Sequence, residues 1–338
     1  MVPVLIAGLL AMVAAIVIGP TFIEMLRVRN LGQQIRAEGP AAHVVKQGTP
    51  TMGGLLIVGA AVIPFLVLSQ YTPEAMTILF ITLGCAAIGF ADDYLKLRRR
   101  RSLGLPGRWK MVLLVAVTLG AALLLQETEA FSTSVYVPLA GWDLHLGFLY
   151  YPFLFVLIAG AVNGANLTDG IDGLAAGTAT IMLLTFLAVA GISWLRSGAP
   201  GERSEVYLDV TTLAAALIGG TIGFLWYNAF PAEVFMGDTG SMALGGAIAG
   251  FAIVTRTEIL LPLIAGIFVI EVLSLIIQVV SFKRTGRRVF LMAPIHHHFE
   301  MKAWSETKVM VRFWIVCAIL CASGFALFYR DFLQFVER

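Results

Sequence analysis

The chain is poor in charge. Only 13% of its 338 residues are Asp, Glu, Lys or Arg, against roughly 25% in a soluble domain. Mean hydropathy is +0.87. These values exclude a water-soluble globule, and with it the usual reckoning of domains from length. Cysteine is also scarce. Cys85, Cys317 and Cys321 all lie in apolar runs and lack the spacing of zinc ligands or of a disulfide framework, so they read as small apolar packers. No basic n-region precedes the first apolar run, which is uncharged and long enough to stay as a span rather than be cleaved as a signal. There is no low-complexity tract, convincing internal repeat or soluble domain, and residues 1–338 read as one integral membrane unit.

What the chain does have is apolar runs. A helix needs about 20 such residues to cross the hydrocarbon of a bilayer. Ten segments are candidates: 2–25, 51–70, 75–92, 110–126, 146–165, 174–195, 210–228, 239–255, 258–281 and 310–329. The expected fold is an all-α polytopic membrane protein with about ten transmembrane helices. An even number puts both termini on one side, and the cations decide which. Of the 23 Lys and Arg residues, all but Arg196, Arg203, Arg256, Arg330 and Arg338 fall in one alternating set of loops and flanks. That set is expected to be cytoplasmic, leaving both termini extracytoplasmic. On the outer side, residues 131–148 (FSTSVYVPLAGWDLHLGF) alternate polar and apolar around Ala-Gly, the pattern of a small extracytoplasmic β-hairpin.

The cytoplasmic loops carry an unusual set of polar strings: HVVKQGTPTMGG (43–54), DDYLK (92–96), NGANLTDGIDGLAAG (163–177), YNAFPAEVFMGDTGS (227–241) and APIHHHFE (293–300). Their convergence on one membrane face says more than any one of them. Asp92 and Asp93 are neighbours about 100° apart on a helix, so they cannot present one flat chelate. Asp92 and Lys96, four apart, share a face. A solvated helix end with an ordinary ion pair would explain them equally well, except that acids are disfavoured at a helix C-terminus. Asn163, Asn166, Asp169 and Asp172 recur every three residues and would form one drifting stripe if helical; turn composition alone would also fit, but a Gly/Asn/Asp turn does not need four amide or acid groups in register. In VFMGDTGS, Asp238 or Thr239 could be a helix N-cap. The same glycine-flanked helix start would seat a phosphate, and an Asp there could bring Mg²⁺ to a diphosphate. Phe235 could stack on a flat base or anchor in lipid. His296, His297 and His298 have poor zinc geometry and suit phosphate contact or proton transfer; a polar surface loop is the alternative. Glu271, inside the ninth span, is expected to make interhelical hydrogen bonds. Gln278, on the same face and nearer the cytoplasmic end, could border the site.

Together, TPTMGG, DDYLK, NLTDGIDGLA, VFMGDTGS and PIHHHFE resemble the phospho-N-acetylmuramoyl-pentapeptide transferase family, within the polyprenyl-phosphate N-acetylhexosamine-1-phosphate transferase superfamily. The resemblance covers essentially the whole chain with the motifs in order; one departure is Ile171, where Leu is commoner. It implies transfer of phospho-MurNAc-pentapeptide from UDP-MurNAc-pentapeptide to undecaprenyl phosphate, giving lipid I and UMP, with Mg²⁺, in a bacterial plasma membrane and as a homodimer. It implies Asp238 as the metal ligand and Asp92, with Asp93, as the base or lipid-phosphate partner. Lys46, Lys96 and Lys110 would lie near phosphate. Asn166, Asp169, Phe235 and Gly237 would contact the nucleotide, with Asn228 nearby, and Thr51 would line the pocket. His296, with Asp92, Asp93 and Asp238, is assigned to catalysis, and His297 and His298 to substrate binding. A sister transferase moving GlcNAc-1-phosphate is the nearest rival, opposed by TPTMGG and PIHHHFE. A nucleotide-sugar or divalent-cation transporter would hold its polar groups at mid-membrane, in broken helices.

Overall fold

A computed structural model describes residues 1–29, 48–99, 103–128 and 131–336. Lys46 lies outside the described residues, as do Arg36, Arg100 and Arg101. In chain order the elements are α1 (Val2–Val28), α2 (Gly54–Leu68), α3 (Pro73–Arg99), α4 (Gly107–Gln126), β1 (Ser134–Val137) and β2 (Trp142–His145). A short 3-10 turn leads into α5 (Tyr150–Thr168), α6 (Leu174–Arg196), α7 (Glu205–Asn228), α8 (Gly237–Val254) and α9 (Leu261–Ile264). The chain ends with α10 (Gly266–Thr285), α11 (Ile295–Met301) and α12 (Glu306–Val336). Among the described residues, nine helices are long and apolar enough to cross a membrane. The tenth expected span is α2, an apolar helix of only 15 residues. The protein is thus an all-α polytopic membrane protein, with one antiparallel two-stranded ribbon in which Val137 pairs with Trp142.

Several spans differ from their sequence limits, among them the third, the ninth and the last, which runs from Glu306 to Val336 rather than over 310–329. The α3 helix does not stop near residue 92 but runs to Arg99, so DDYLK is fully helical. The ninth span does not begin at 258: the chain makes the single turn of α9, and α10 starts at Gly266. Pro262 near the start of α9 has no N–H to extend a preceding helix.

The most enclosed helices are α7 and α8. Contacts between membrane helices depend on close backbone approach rather than on expulsion of water. At Gly89 on α3, an added Cβ would lie 2.1 Å from the Asp238 carbonyl oxygen of α8. At Gly54, the first residue of α2, it would lie 2.1 Å from the Gly240 nitrogen. These contacts bring the last turns of α3 and the first turn of α2 against the first turn of α8. At the other end of the bundle, Asp209 of α7 ties the α2–α3 turn. Its carboxylate accepts from Ser69 Oγ at 2.9 Å, Gln70 N at 3.0 Å, and Thr72 N and Oγ1 at 3.0 and 3.1 Å.

Two outcomes follow for stability. In Gly89→Ala the clash is with backbone, which cannot rotate away, so α3 and α8 must separate. Thermal unfolding in detergent is expected to show a loss of about 1–3 kcal/mol. Glu258 lies between α8 and α9 and is buried. Burial pushes its carboxyl from the ordinary 4.5 up to about 7, while Arg256 and the Tyr150 hydroxyl pull the other way. The folded state therefore favours the protonated acid. Its contribution to stability is full below the ordinary carboxylate range and is lost as pH rises through about 7. Glu258→Gln, which keeps the neutral shape, is expected to add about 1 kcal/mol at mildly alkaline pH and nothing at acid pH, as read from unfolding midpoints across that window.

Candidate active site

The site is built around the start of α8. The strand-like segment before it is clamped by the segment before α2. Phe235 N donates to Pro50 O at 2.8 Å, Gly53 N to Phe235 O at 2.9 Å and Gly54 N to Met236 O at 2.9 Å. Gly237 then turns into the helix with φ +73°. A Cβ at this position would sit 2.6 Å from Asp93 Oδ2 and 2.9 Å from Thr51 Oγ1. Both its conformation and its surroundings therefore call for glycine.

The first N–H groups of a helix lack partners within it. In α8 they are met by a carboxylate from another helix. Asp93 Oδ1 accepts from Asp238 N at 3.1 Å, and Asp93 Oδ2 accepts from Thr239 N at 2.9 Å and Thr239 Oγ1 at 2.7 Å. Asp93 thus neutralises the positive end of the α8 dipole, and it fixes where Asp238 stands. Neither Asp238 nor Thr239 caps the helix itself, because no side-chain cap from the preceding residue is present and Asp93 takes that place.

Around Asp238 the charges close into a ring. Lys96 Nζ lies 2.6 Å from Asp92 Oδ2 and 2.9 Å from Asp238 Oδ1. Lys110 Nζ, from the first turn of α4, lies 3.1 Å from Asp92 Oδ1 and 2.7 Å from Asp238 Oδ2. Each oxygen of these two carboxylates therefore faces an ammonium, and each ammonium bridges both carboxylates. Asp92 also accepts from Leu105 N at 2.7 Å. It is 1% exposed, while Lys96 keeps 30% of its side chain open. Asp92 and Asp93 do diverge along α3, but the expectation that they cannot share a chelate considered one helix alone. Asp238 arrives from α8, and one oxygen from each of the three acids lies within 4.8 Å of the others.

The NGANLTDGIDG string does not form one stripe. The α5 helix ends at Thr168, so only its first two amides are helical. Asn163 Nδ2 donates back to Ala159 O at 2.7 Å, and Asn166 Nδ2 reaches Ser241 Oγ on α8 at 3.0 Å. Asp172 accepts from Ala232 N at 3.0 Å. Asp169 faces the acids: burial, then Asp238 and Asp93, push its carboxyl up to about 8, against the Gly237 backbone N–H. Asn228 is buried and bridges two loops, accepting from Gly173 N at 3.0 Å and donating to Val234 O at 2.9 Å. Phe235 is half-buried at the edge of the site.

The remaining expected residues lie off the ring. Gln278 spends its amide on the backbone, donating to Phe290 O at 3.0 Å and accepting from Val289 N and Phe290 N at 3.0 and 2.9 Å. It shapes the loop that leads to the histidines. His296 is 1% exposed and its Nδ1 meets Glu271 Oε1 at 3.0 Å. Its Nε2 packs on Gly170, where a Cβ would come within 2.3 Å. This imidazole therefore props the 169–173 loop from α10 and α11. His297 Nδ1 meets Glu300 Oε2 at 2.5 Å. His298 Nδ1 accepts from Leu291 N at 3.1 Å; burial, then Lys302, push its pKa down. Sequence reasoning missed the Leu105 N–H and the Glu300 partner. Nothing in the short span between α3 and α4 signals the first; the second stood within PIHHHFE.

Acids and lysines gathered at the helix ends of an apolar bundle are suited to positioning and neutralising phosphates. In agreement, residues 75–256 match the model of glycosyl transferase family 4. Residues 46–58 match signature 1 of the phospho-N-acetylmuramoyl-pentapeptide-transferases. Proteins with that name from Frankia alni and Rubrobacter xylanophilus are each 43% identical to this chain, over 98% and 97% of it and 98% of their own lengths. The one from Corynebacterium jeikeium is 41% identical over 99% of both. The chain belongs to the phospho-N-acetylmuramoyl-pentapeptide transferase family.

The capping role of Asp93 has a graded consequence. Asp93→Ala removes three accepted hydrogen bonds from a buried helix start and is expected to destabilise the protein by about 2 kcal/mol or more. Asp93→Asn keeps one acceptor oxygen and should lose about half as much. Paired thermal unfolding curves in detergent check the order; equal losses would show that the bonds to α8 do not matter.

Proposed function

We propose that the protein transfers phospho-MurNAc-pentapeptide from UDP-MurNAc-pentapeptide to undecaprenyl phosphate, releasing UMP and forming lipid I. We place the reaction at the cytoplasmic face of a bacterial plasma membrane, in peptidoglycan synthesis. The carrying observation is the Asp92–Lys96–Asp238–Lys110 ring at the ends of α3, α4 and α8. The end of α3 and the start of α4 belong to the set of loops and flanks that holds 18 of the 23 Lys and Arg residues, which supports the cytoplasmic side.

Both substrates of such a reaction are phosphates, so much of the barrier is repulsion between like charges. Positioning and charge neutralisation carry most of the catalysis in phosphoryl transfer. Among the described residues, Lys96 and Lys110 are able to hold the acceptor phosphate and the donor diphosphate. The acceptor oxygen attacks the β-phosphorus, and the bond from that phosphorus to the bridging oxygen of UMP breaks. Asp92, beside both lysines, is placed to orient the lipid phosphate or take its proton. Asp169, held protonated near neutral pH by its surroundings, can donate a hydrogen bond to the nucleotide. Thr51, Asn166, Phe235 and Gly237 border the same space, and Asn228 holds two of the loops around it.

The acids fit Mg²⁺. Carboxylate oxygens are its preferred protein ligands, and Asp92, Asp93 and Asp238 bring one each within 4.8 Å of the others. Both Asp93 oxygens are engaged by α8, so Asp238, the most exposed of the three, is the principal ligand. When bound, Mg²⁺ would neutralise charge on the donor diphosphate and on the UMP that leaves from it. With purified protein, UMP release from UDP-MurNAc-pentapeptide should require undecaprenyl phosphate and a divalent cation. Asp238→Asn is expected to lower kcat by about 100-fold or more while the protein stays folded. Equal turnover with UDP-GlcNAc as donor would sink the assignment.

A further inference from the structure

We infer that Glu271 is a positioning residue for the transfer: it fixes the tautomer and tilt of His296, and through that ring the loop that carries Asp169 to the donor's nucleotide. This rests on the transferase reading above and adds to it a residue that stands off the substrate. Glu271 lies on α10 and His296 on α11, and their side chains are 0% and 1% exposed. Glu271 Oε1 meets His296 Nδ1 at 3.0 Å. A carboxyl group inside a span is costly to keep, and this one has no second task among the described residues. Ser274 Oγ, one turn on, donates to the Glu271 carbonyl at 2.7 Å and not to its side chain. Glu271 Oε2 and His296 Nε2 have no hydrogen-bond partner among the described residues. The helices around the pair are closely packed. A Cβ on Gly164 of α5 would lie 2.6 Å from the Cβ of Phe268, one turn before Glu271. This sets α10 against the end of α5, from which the 169–173 loop leaves.

Two contacts together select one tautomer of His296. The proton's place on an imidazole is set by what each ring nitrogen meets. At Nδ1, the carboxyl of Glu271 can accept from an N–H or, as the neutral acid, donate to a bare nitrogen. Gly170 decides between these. The place of its missing Cβ is 2.3 Å from Nε2, and a glycine hydrogen lies along that same direction. A hydrogen on Nε2 would meet it head on, whereas a bare nitrogen accepts the weak C–H contact. Nδ1 therefore carries the proton and donates to Glu271. Without that acceptor the ring is free to turn or to move its proton to Nε2, and either change presses on Gly170. On one side of Gly170 is Asp169, the loop's acid toward Asp238 and Asp93. On the other is Asp172, which accepts from Ala232 N at 3.0 Å. A shift at Gly170 thus reaches the nucleotide's side of the site. Lys96 and Lys110, on α3 and α4, stay where they are.

The test sets two substitutions against each other in the full-length protein in detergent. Glu271→Met keeps the length of the side chain but has no oxygen to accept from Nδ1. Glu271→Gln keeps an amide oxygen that can. Glu271→Met should raise the KM for UDP-MurNAc-pentapeptide about tenfold, the loss expected from one positioning hydrogen bond. The KM for undecaprenyl phosphate should stay within about twofold, and Glu271→Gln should recover most of the loss. NMR of protein carrying isotope-labelled histidine reads the tautomer directly, since the chain has only 5 histidines. The His296 signals are those missing from His296→Asn. Wild type should show a proton on Nδ1 and none on Nε2, a preference that Glu271→Met loses. If Glu271→Met does not fold, Gly170→Ala pushes the same ring from the other side and should likewise raise the donor KM alone. An unchanged donor KM, equal rises for both substrates, a Gln variant no better than Met, or wild-type His296 protonated at Nε2 would overturn the inference. The spectrum needs no turnover. If wild type releases no UMP, the transferase reading falls and takes the positioning role with it, while the spectrum still decides the tautomer.

Discussion

The structure turns on one constraint: carboxylates at helix ends, close enough to share a ligand, must each be held by something positive. Asp93 is held by the N-terminus of α8, through two backbone N–H groups and the Thr239 hydroxyl. Asp92 and Asp238 are held by two lysines that each bridge both. Breaking a buried ion pair on one side only leaves an uncompensated charge, which costs several kcal/mol. The arrangement therefore stands or falls as a unit, and it needs α3, α4 and α8 in register. Gly89 and Gly54 supply that register by letting α3 and α2 touch the backbone of α8. The apolar body of the bundle serves to present this small set of charges.

Much of this was legible in the sequence. Low charge, ten apolar runs and a one-sided distribution of cations gave the class of fold. The polar strings at alternate loops named the residues. The i, i+4 spacing of Asp92 and Lys96 foretold their pairing, which the structure shows at 2.6 Å. Glu271, expected to bond between helices, does so to His296.

What was not legible depends on contacts between segments distant in sequence. Nothing near Asp93 says that it caps a helix 145 residues away. The chelate that one helix forbids becomes possible when a second helix arrives. The stripe that 163–172 would make if helical throughout does not form, because the helix stops at Thr168, two residues before Gly170. The residues beyond it turn to Gly237 and Ala232 instead. Gln278 looked like a site residue by depth and face, but its amide serves the backbone of the 289–290 loop. His296 lies within reach of the motif loop but is sealed against Gly170. Depth along a helix is readable from sequence; the partner that meets a polar side chain there is not.

The central claim is that the Asp92–Lys96–Asp238–Lys110 ring is where phosphates and metal meet. A crystal of the protein grown with Mn²⁺ and UDP-MurNAc-pentapeptide, measured at the manganese edge, tests it directly. The account predicts an anomalous peak between Asp238 and the donor diphosphate, with Lys96 or Lys110 on a phosphate oxygen. A peak at the His297–Glu300 pair, or a diphosphate seated away from α8, would contradict it.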